Sequence, residues 1–156
     1  MLSQNSLEQI DRELVKYPAE RKRSAVIASL RIAQEEHGWL SREVMDFIAK
    51  RLELRPIEVY EVATFYTMFD LEPHGRHKIC VCTNVSCMLC GSDGLLEHIR
   101  KRYGAGLGET TADGRFTFQE VECLCACAGA PVVQIGKRYY ENVTPESLDE
   151  MLSVLD

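Results

Sequence analysis

No apolar run in this sequence approaches the roughly 20 residues that cross a bilayer, and no basic, Ser-rich or apolar leader opens the chain. Basic residues are not in excess either, since 18 Lys and Arg stand against 24 Asp and Glu and give a formal net charge of −6. No stripe of basic residues alternates with aromatic ones, as a phosphate-binding surface would require. We therefore expect no nucleic-acid partner and no direct membrane insertion. Membrane association must come through partner proteins.

The common motifs of nucleotide binding are also missing. No G-x-G-x-x-G run follows a strand, and there is no P-loop. Binding sites for nicotinamide and flavin must therefore lie on another chain. The four histidines are scattered without the spacing of metal ligands, and we interpret them as surface or satisfied core residues: His37, His74, His77 and His98.

Cysteine is what the sequence does have, with seven residues, and four of them form two close pairs. Cys82 and Cys87 lie in CTNVSC, and Cys123 and Cys127 lie in CLCAC. A [2Fe-2S] cluster needs two thiolates on each of two irons, so two loops that each carry two cysteines suit it. The pattern favours an iron–sulfur site, in which the cluster moves one electron and has no open position for a substrate.

Two other uses of these cysteines stay open at this point. Structural zinc also takes four sulfurs, although its ligands usually come from C-x2-C knuckles rather than from C-x4-C and C-x3-C pairs. A disulfide framework fits poorly with an odd cysteine count in a chain of 156 residues, which is long enough to bury a core. Cys80 lies within a predicted strand, and we interpret it as a small buried apolar residue.

A third use is a redox dithiol. Cys87 and Cys90 form CMLC, a C-x-x-C between a predicted strand and a predicted helix, where a thioredoxin-type dithiol would sit. The Ala130–Pro131 bond before the VVQI run resembles the cis-proline of thioredoxin folds. This alternative makes the chain a stand-alone dithiol oxidoreductase, and it leaves Cys82, Cys123 and Cys127 without a role.

The sequence pattern changes near residue 72 and predicts two domains, residues 1–72 and 76–156. The first part has helical periodicity: one helix up to Tyr17, a second over 24–37 that ends at Gly38, a third capped by Ser41, and a fourth from Pro56 to about Phe69. The pattern of the second part predicts strand, helix, strand, hairpin and helix, with Ser92 as the cap of its first helix. We expect an α+β fold, in which a helical bundle precedes a small thioredoxin-like sheet.

Several long segments resemble the small [2Fe-2S] subunit of the NADH-dehydrogenase module of bacterial complex I, and together they cover most of the chain. They are ATFYTMF at 63–69, GRHKICVCTNVSC at 75–87, GSDGLLEHI at 91–99, TTADGRFTFQEVECLCAC at 110–127 and GAPVVQI at 129–135. The resemblance implies a helical bundle joined to a thioredoxin-like ferredoxin domain. It also implies one [2Fe-2S] cluster with the ligands Cys82, Cys87, Cys123 and Cys127.

The same resemblance implies a function. The chain would be an electron-transfer subunit of NADH:quinone oxidoreductase that exchanges electrons with the FMN of a larger iron–sulfur partner subunit, where NADH also binds. It would lie in the cytoplasm, peripheral to the inner membrane through the complex. Similar subunits of NAD-reducing hydrogenases and formate dehydrogenases are the alternative assembly. The loop residues Thr83 and Asn84 are candidate hydrogen-bond donors to the cluster sulfurs.

Two positions depart from the pattern of that family. Cys125 stands where a glycine is usual between the last two ligands, and Cys90 stands where a basic or other polar residue is common. Neither change removes a ligand. Cys125 alters the close backbone approach that glycine permits, and it is a candidate substitute ligand if Cys123 or Cys127 is lost.

Overall fold

The computed structural model describes residues 2–155, and its contacts divide the chain into two compact units, Met1–Pro73 and His74–Asp156. The first unit consists of four α-helices and one 3-10 helix, Ala19–Ala25, between the first two. The α-helices are α1 (Gln4–Leu14), α2 (Val26–His37), α3 (Arg42–Leu52) and α4 (Pro56–Phe65). The predicted helical N-terminal part is therefore present.

Local sequence signals set several of these helix ends. α2 ends at Gly38, whose φ of 81° is the left-handed conformation that glycine adopts at low cost. Ser41 caps α3, because its side chain accepts a hydrogen bond from the Val44 amide at 3.3 Å. α4 begins at Pro56, where the missing amide hydrogen is not needed.

Two predicted helix ends were too late. α1 stops at Leu14, before Tyr17, and α4 stops at Phe65 rather than near Phe69. The segment after α4 is held by Gln34 of α2, whose amide nitrogen donates to the Met68 carbonyl at 2.9 Å and whose carbonyl oxygen accepts from the Asp70 amide at 2.7 Å. These long-range bonds favour an irregular chain where helical periodicity continues.

The second unit contains five strands and three α-helices. In chain order they are β1 (His77–Cys82), α5 (Val85–Leu89), α6 (Ser92–Tyr103), β2 (Glu109–Thr110), β3 (Phe116–Val121), β4 (Val133–Ile135), β5 (Arg138–Tyr140) and α7 (Pro145–Ser153), with a 3-10 helix at Cys127–Gly129. The predicted α+β fold is confirmed, while the five-residue α5 and the short β2 were not predicted.

The sheet has the strand order β2-β3-β1-β4-β5, with β1 at its centre. β1 and β3 are parallel and pair Cys82 with Val121, whereas the other neighbouring strands are antiparallel. The carboxyl ends of two parallel strands lie at the same edge of a sheet. The chain segments that follow Cys82 and Val121 therefore leave the sheet side by side.

α6 and α7 bury apolar side chains against this sheet. Phe118, Leu95, Ile99 and Leu148 are at most 1% exposed and belong to one core cluster with Ile79 and Val81 of β1. Ser92 is not the predicted cap of α6. Gly91 occupies the capping position without a side-chain bond, and Ser92 is the first helical residue, with its hydroxyl buried and unpartnered within the described residues.

Within residues 2–155, no helix has the length and apolar character that crossing a membrane would require.

Candidate iron–sulfur site

The site is built at the carboxyl ends of β1 and β3. Cys82 is the last residue of β1, and Cys87 lies one short helix away in α5; the two are 2% and 1% exposed. Cys123 follows β3 by two residues, and Cys127 opens the 3-10 helix; both are exposed. The structure therefore presents one inner and one outer pair of free thiols.

The four thiols converge. The Cys123 sulfur interacts with the side chains of Cys82 and Cys127. The Cys87 thiol hydrogen-bonds with Cys82 and lies within electrostatic reach of Cys127. Two segments separated by more than 30 residues in the sequence thus bring their cysteines to one place. Among residues 2–155, no three His, Cys, Asp or Glu side chains are arranged to hold a single metal ion.

Backbone hydrogen bonds fix the inner pair. The Cys82 amide donates to the Val132 carbonyl at 3.1 Å, and the next amide, that of Thr83, donates to the Val121 carbonyl at 3.2 Å. The inner thiols pack with Leu124 and Val132, which are 6% and 1% exposed. Burial raises the pKa of Cys87, the neighbouring Cys82 thiol raises it further, and a backbone hydrogen bond from Val132 opposes both.

The outer loop treats its thiol differently. The Cys125 amide donates to the Cys123 sulfur at 3.2 Å, and this bond is the main reason that the pKa of Cys123 is lowered. The Cys125 thiol adds to the effect from 3.9 Å away. Cys125 itself has a φ of 56°, which places a non-glycine residue in the left-handed region, at the position where similar sequences are expected to carry glycine.

These residues fit a [2Fe-2S] cluster by the chemistry of the donor set. Four sulfur ligands come from two segments, as two irons require. Amide groups donate to the sulfurs of Cys123 and Cys87, which favours their thiolate forms. Apolar side chains cover the inner pair.

The dithiol alternative fits less well. A nucleophilic thiol needs a lowered pKa and access to solvent. Cys87 is buried with a raised pKa, and Cys90 caps the C-terminal end of α5. The Ala130–Pro131 bond is cis, as the sequence predicted. That feature belongs to the fold and does not assign a redox role to Cys87 and Cys90.

Two candidate donors act elsewhere. The Thr83 hydroxyl donates to the Glu120 carboxylate at 2.6 Å, and the Asn84 side-chain amide donates to the Glu122 carbonyl at 2.7 Å. Neither side-chain bond goes to a sulfur. The donors that the sequence did not reveal are backbone amides, those of Cys125 and Val132, and no side-chain motif marks them.

Comparison with known proteins agrees with this geometry. An NADH-quinone oxidoreductase subunit of Rhizobium meliloti (strain 1021) is 48% identical over 145 residues, which are 93% of this chain and 85% of the relative. A subunit of the same name from Rickettsia bellii (strain RML369-C) is 45% identical over 141 residues, which are 90% of this chain and 84% of that protein.

A solved structure has a similar fold. The air-oxidized NAD+-reducing [NiFe]-hydrogenase matches with a TM-score of 0.70 at 21% identity, over 81% of this chain and 22% of the hydrogenase chain. At that identity the likeness concerns the fold alone. Residues 10–156 match the family described as thioredoxin-like [2Fe-2S] ferredoxin, which is nearly the whole sequence. This chain therefore belongs to the thioredoxin-like [2Fe-2S] ferredoxin family.

Proposed function

We propose that this chain is the electron-transfer iron–sulfur subunit of an NADH:quinone oxidoreductase, with one [2Fe-2S] cluster bound by Cys82, Cys87, Cys123 and Cys127. The observation that carries the proposal is the convergence of these four thiols at one edge of the sheet, from the ends of the parallel strands β1 and β3. The 1–72 region would form the helical domain, and 76–156 the ferredoxin domain.

When bound, the cluster supplies one-electron transfer without an open coordination site. The chain contributes the ligands and their surroundings. Cys82 and Cys87 hold the buried side among apolar residues, while Cys123 and Cys127 lie at the surface. The exposed pair marks the side on which an electron partner approaches closest. The amide of Cys125 stabilises negative charge on the Cys123 sulfur and thereby helps to set the reduction potential.

The partner in this proposal is a larger subunit of the same module that binds NADH and FMN. The names of the relatives at 43–48% identity support a quinone-reducing assembly rather than a hydrogenase or a formate dehydrogenase. In such an assembly the chain would lie on the cytoplasmic side and reach the inner membrane only through its partners. NADH should reduce the cluster only when the FMN-containing subunit is present.

The test is iron and acid-labile sulfide analysis of anaerobically purified protein, together with visible spectra and EPR spectra after dithionite reduction. We expect about two irons and two sulfides per chain. Cys87→Ser should alter the EPR signal, and the matched variant Cys90→Ser should keep it. A wild-type protein that holds no iron after reconstitution, but holds zinc or titrates as a Cys87/Cys90 couple, would overturn the proposal.

A further inference from the structure

A fifth sulfur lies within ligand range of the outer pair. The Sγ atoms of Cys123 and Cys125 are 3.9 Å apart. In a tetrahedral site with metal–sulfur bonds of about 2.3 Å, two sulfurs on the same metal are about 3.8 Å apart. Cys125 therefore lies at the distance from Cys123 that two ligands of one tetrahedral metal would have.

The backbone of Cys125 is in an unusual conformation at this position. Its φ of 56° is left-handed, which costs a residue with a Cβ roughly 1–2 kcal/mol. In the same conformation its amide donates to the Cys123 sulfur at 3.2 Å. A glycine would make that bond with less strain. The cysteine adds one thing that glycine cannot, which is a second sulfur beside the first.

The surroundings leave this sulfur accessible. Cys123 and Cys125 are both exposed and lie between β3 and the 3-10 helix, outside regular secondary structure. A change of ligand there requires movement of a short irregular loop only. Cys82 differs, because it is buried and its backbone is part of β1. The outer loop can therefore exchange one thiol for another, and the strand cannot.

We propose that Cys125 is a reserve ligand, which takes the coordination position of Cys123 when Cys123 is lost. The inference rests on the proposed iron–sulfur function. In the exchange the Cys125 thiol releases its proton to solvent and forms the iron–sulfur bond that Cys123 no longer provides. The cluster keeps four thiolates, and no electron is transferred.

The test compares four variants of the full chain, each reconstituted anaerobically with iron and sulfide. Cys123→Ala should retain about two irons per chain with a shifted visible and EPR spectrum, because Cys125 replaces the lost ligand. Cys123→Ala/Cys125→Ala should hold several-fold less iron. Cys82→Ala should lose iron to the same extent with or without Cys125→Ala. Cys123→Ala that loses iron as completely as the double variant would overturn the inference.

A second pair covers the case in which alanine disturbs the loop. Cys123→Ser keeps the size of the side chain and offers an oxygen ligand. If Cys125 takes over, Cys123→Ser has the spectrum of all-sulfur ligation, and Cys123→Ser/Cys125→Ala has a different one. Identical spectra would overturn the inference. Wild-type protein without iron would instead overturn the proposed function, so the two failures are distinguishable.

Discussion

The side-chain amide of Asn84 donates a hydrogen bond of 2.7 Å to the backbone carbonyl of Glu122, and this bond connects the two segments that carry the cysteine pairs. Asn84 lies between Cys82 and Cys87, and Glu122 directly precedes Cys123. The carbonyl oxygen of the same side chain accepts from the Val85 amide at 2.9 Å and caps α5. One side chain thus positions the helix that carries Cys87 relative to the outer loop.

Loss of the Asn84 donor should make the cluster easier to remove. Asn84→Asp keeps an oxygen acceptor for the cap and removes the donor, whereas Asn84→Ala removes both. One hydrogen bond is worth about 1 kcal/mol, so both variants should lose iron to a chelator about fivefold faster. The measurement is the decay of visible absorbance under anaerobic conditions. Asn5→Ala, an exposed change in α1, is the control, and unchanged decay in both Asn84 variants would contradict the assigned role.

Gly129 should tolerate no side chain while Glu141 is present. A Cβ on Gly129 would lie 2.5 Å from the Glu141 Cβ, closer than real Cβ atoms approach. Gly129→Ala should therefore shift the 3-10 helix that begins at Cys127 and destabilise the second unit by about 1–3 kcal/mol. Urea unfolding followed by circular dichroism checks the loss, and iron content reports the effect on Cys127.

A rescue variant makes the steric cause specific. Glu141→Gly removes the opposing Cβ and should restore most of the stability lost in Gly129→Ala. Gly94→Ala is the matched glycine control, since a Cβ there has no neighbour within 4 Å. That change lies in α6 and should raise stability by up to about 1 kcal/mol. Failure of Glu141→Gly to rescue would show that the clash is not the cause.

Asp149 should stabilise the second unit in a pH-dependent way. It accepts hydrogen bonds from the Tyr103 hydroxyl at 2.6 Å and from His98 Nε2 at 2.9 Å, which tie α7 to α6. Burial alone would raise the pKa of Asp149, but these two partners outweigh it and the pKa lies below its ordinary value. The folded state therefore binds this proton less readily than the unfolded state does.

The sign of the effect follows. The stabilisation is fully present above the ordinary aspartate pKa of about 3.9 and is lost as pH falls through the lower folded value. Asp149→Asn should cost about 1–2 kcal/mol at pH 7, because a charged acceptor is replaced by a neutral one. The difference between wild type and variant should shrink below pH 4. Tyr103→Phe completes a double-mutant cycle, and a difference that stays constant with pH would contradict the role of the charge.

Ser29 should be a position where alanine stabilises the protein. This residue is 0% exposed within α2, and its hydroxyl has no hydrogen-bond partner among the described residues. A buried hydroxyl without a partner costs free energy, and alanine is the better helix former. Ser29→Ala should raise the free energy of unfolding of the first unit by about 1 kcal/mol, measured in urea. The exposed Ser24→Ala should change it by less than about 0.5 kcal/mol, and a destabilised Ser29→Ala would reveal a hidden partner of the hydroxyl.

Local signals explain why much of the fold was predictable. Gly38, Ser41 and Pro56 act within one helical turn, so their effects on helix ends are readable from the sequence. Helix α5 was missed because five residues show no periodicity, and it forms only with Asn84 as its cap. The end of α4 was misplaced because Gln34, more than 30 residues earlier, bonds to the segment that follows it.

The sequence by itself determined the family and the fold class, since cysteine spacing, apolar periodicity and turn residues are properties of short segments. Tertiary structure alone decided which thiols are buried, that Val132 and Cys125 supply amides to the sulfurs, and that Cys125 lies beside Cys123. The reason is physical. Those relationships depend on the parallel pairing of β1 with β3 and on one left-handed residue, and neither leaves a periodic trace in the sequence.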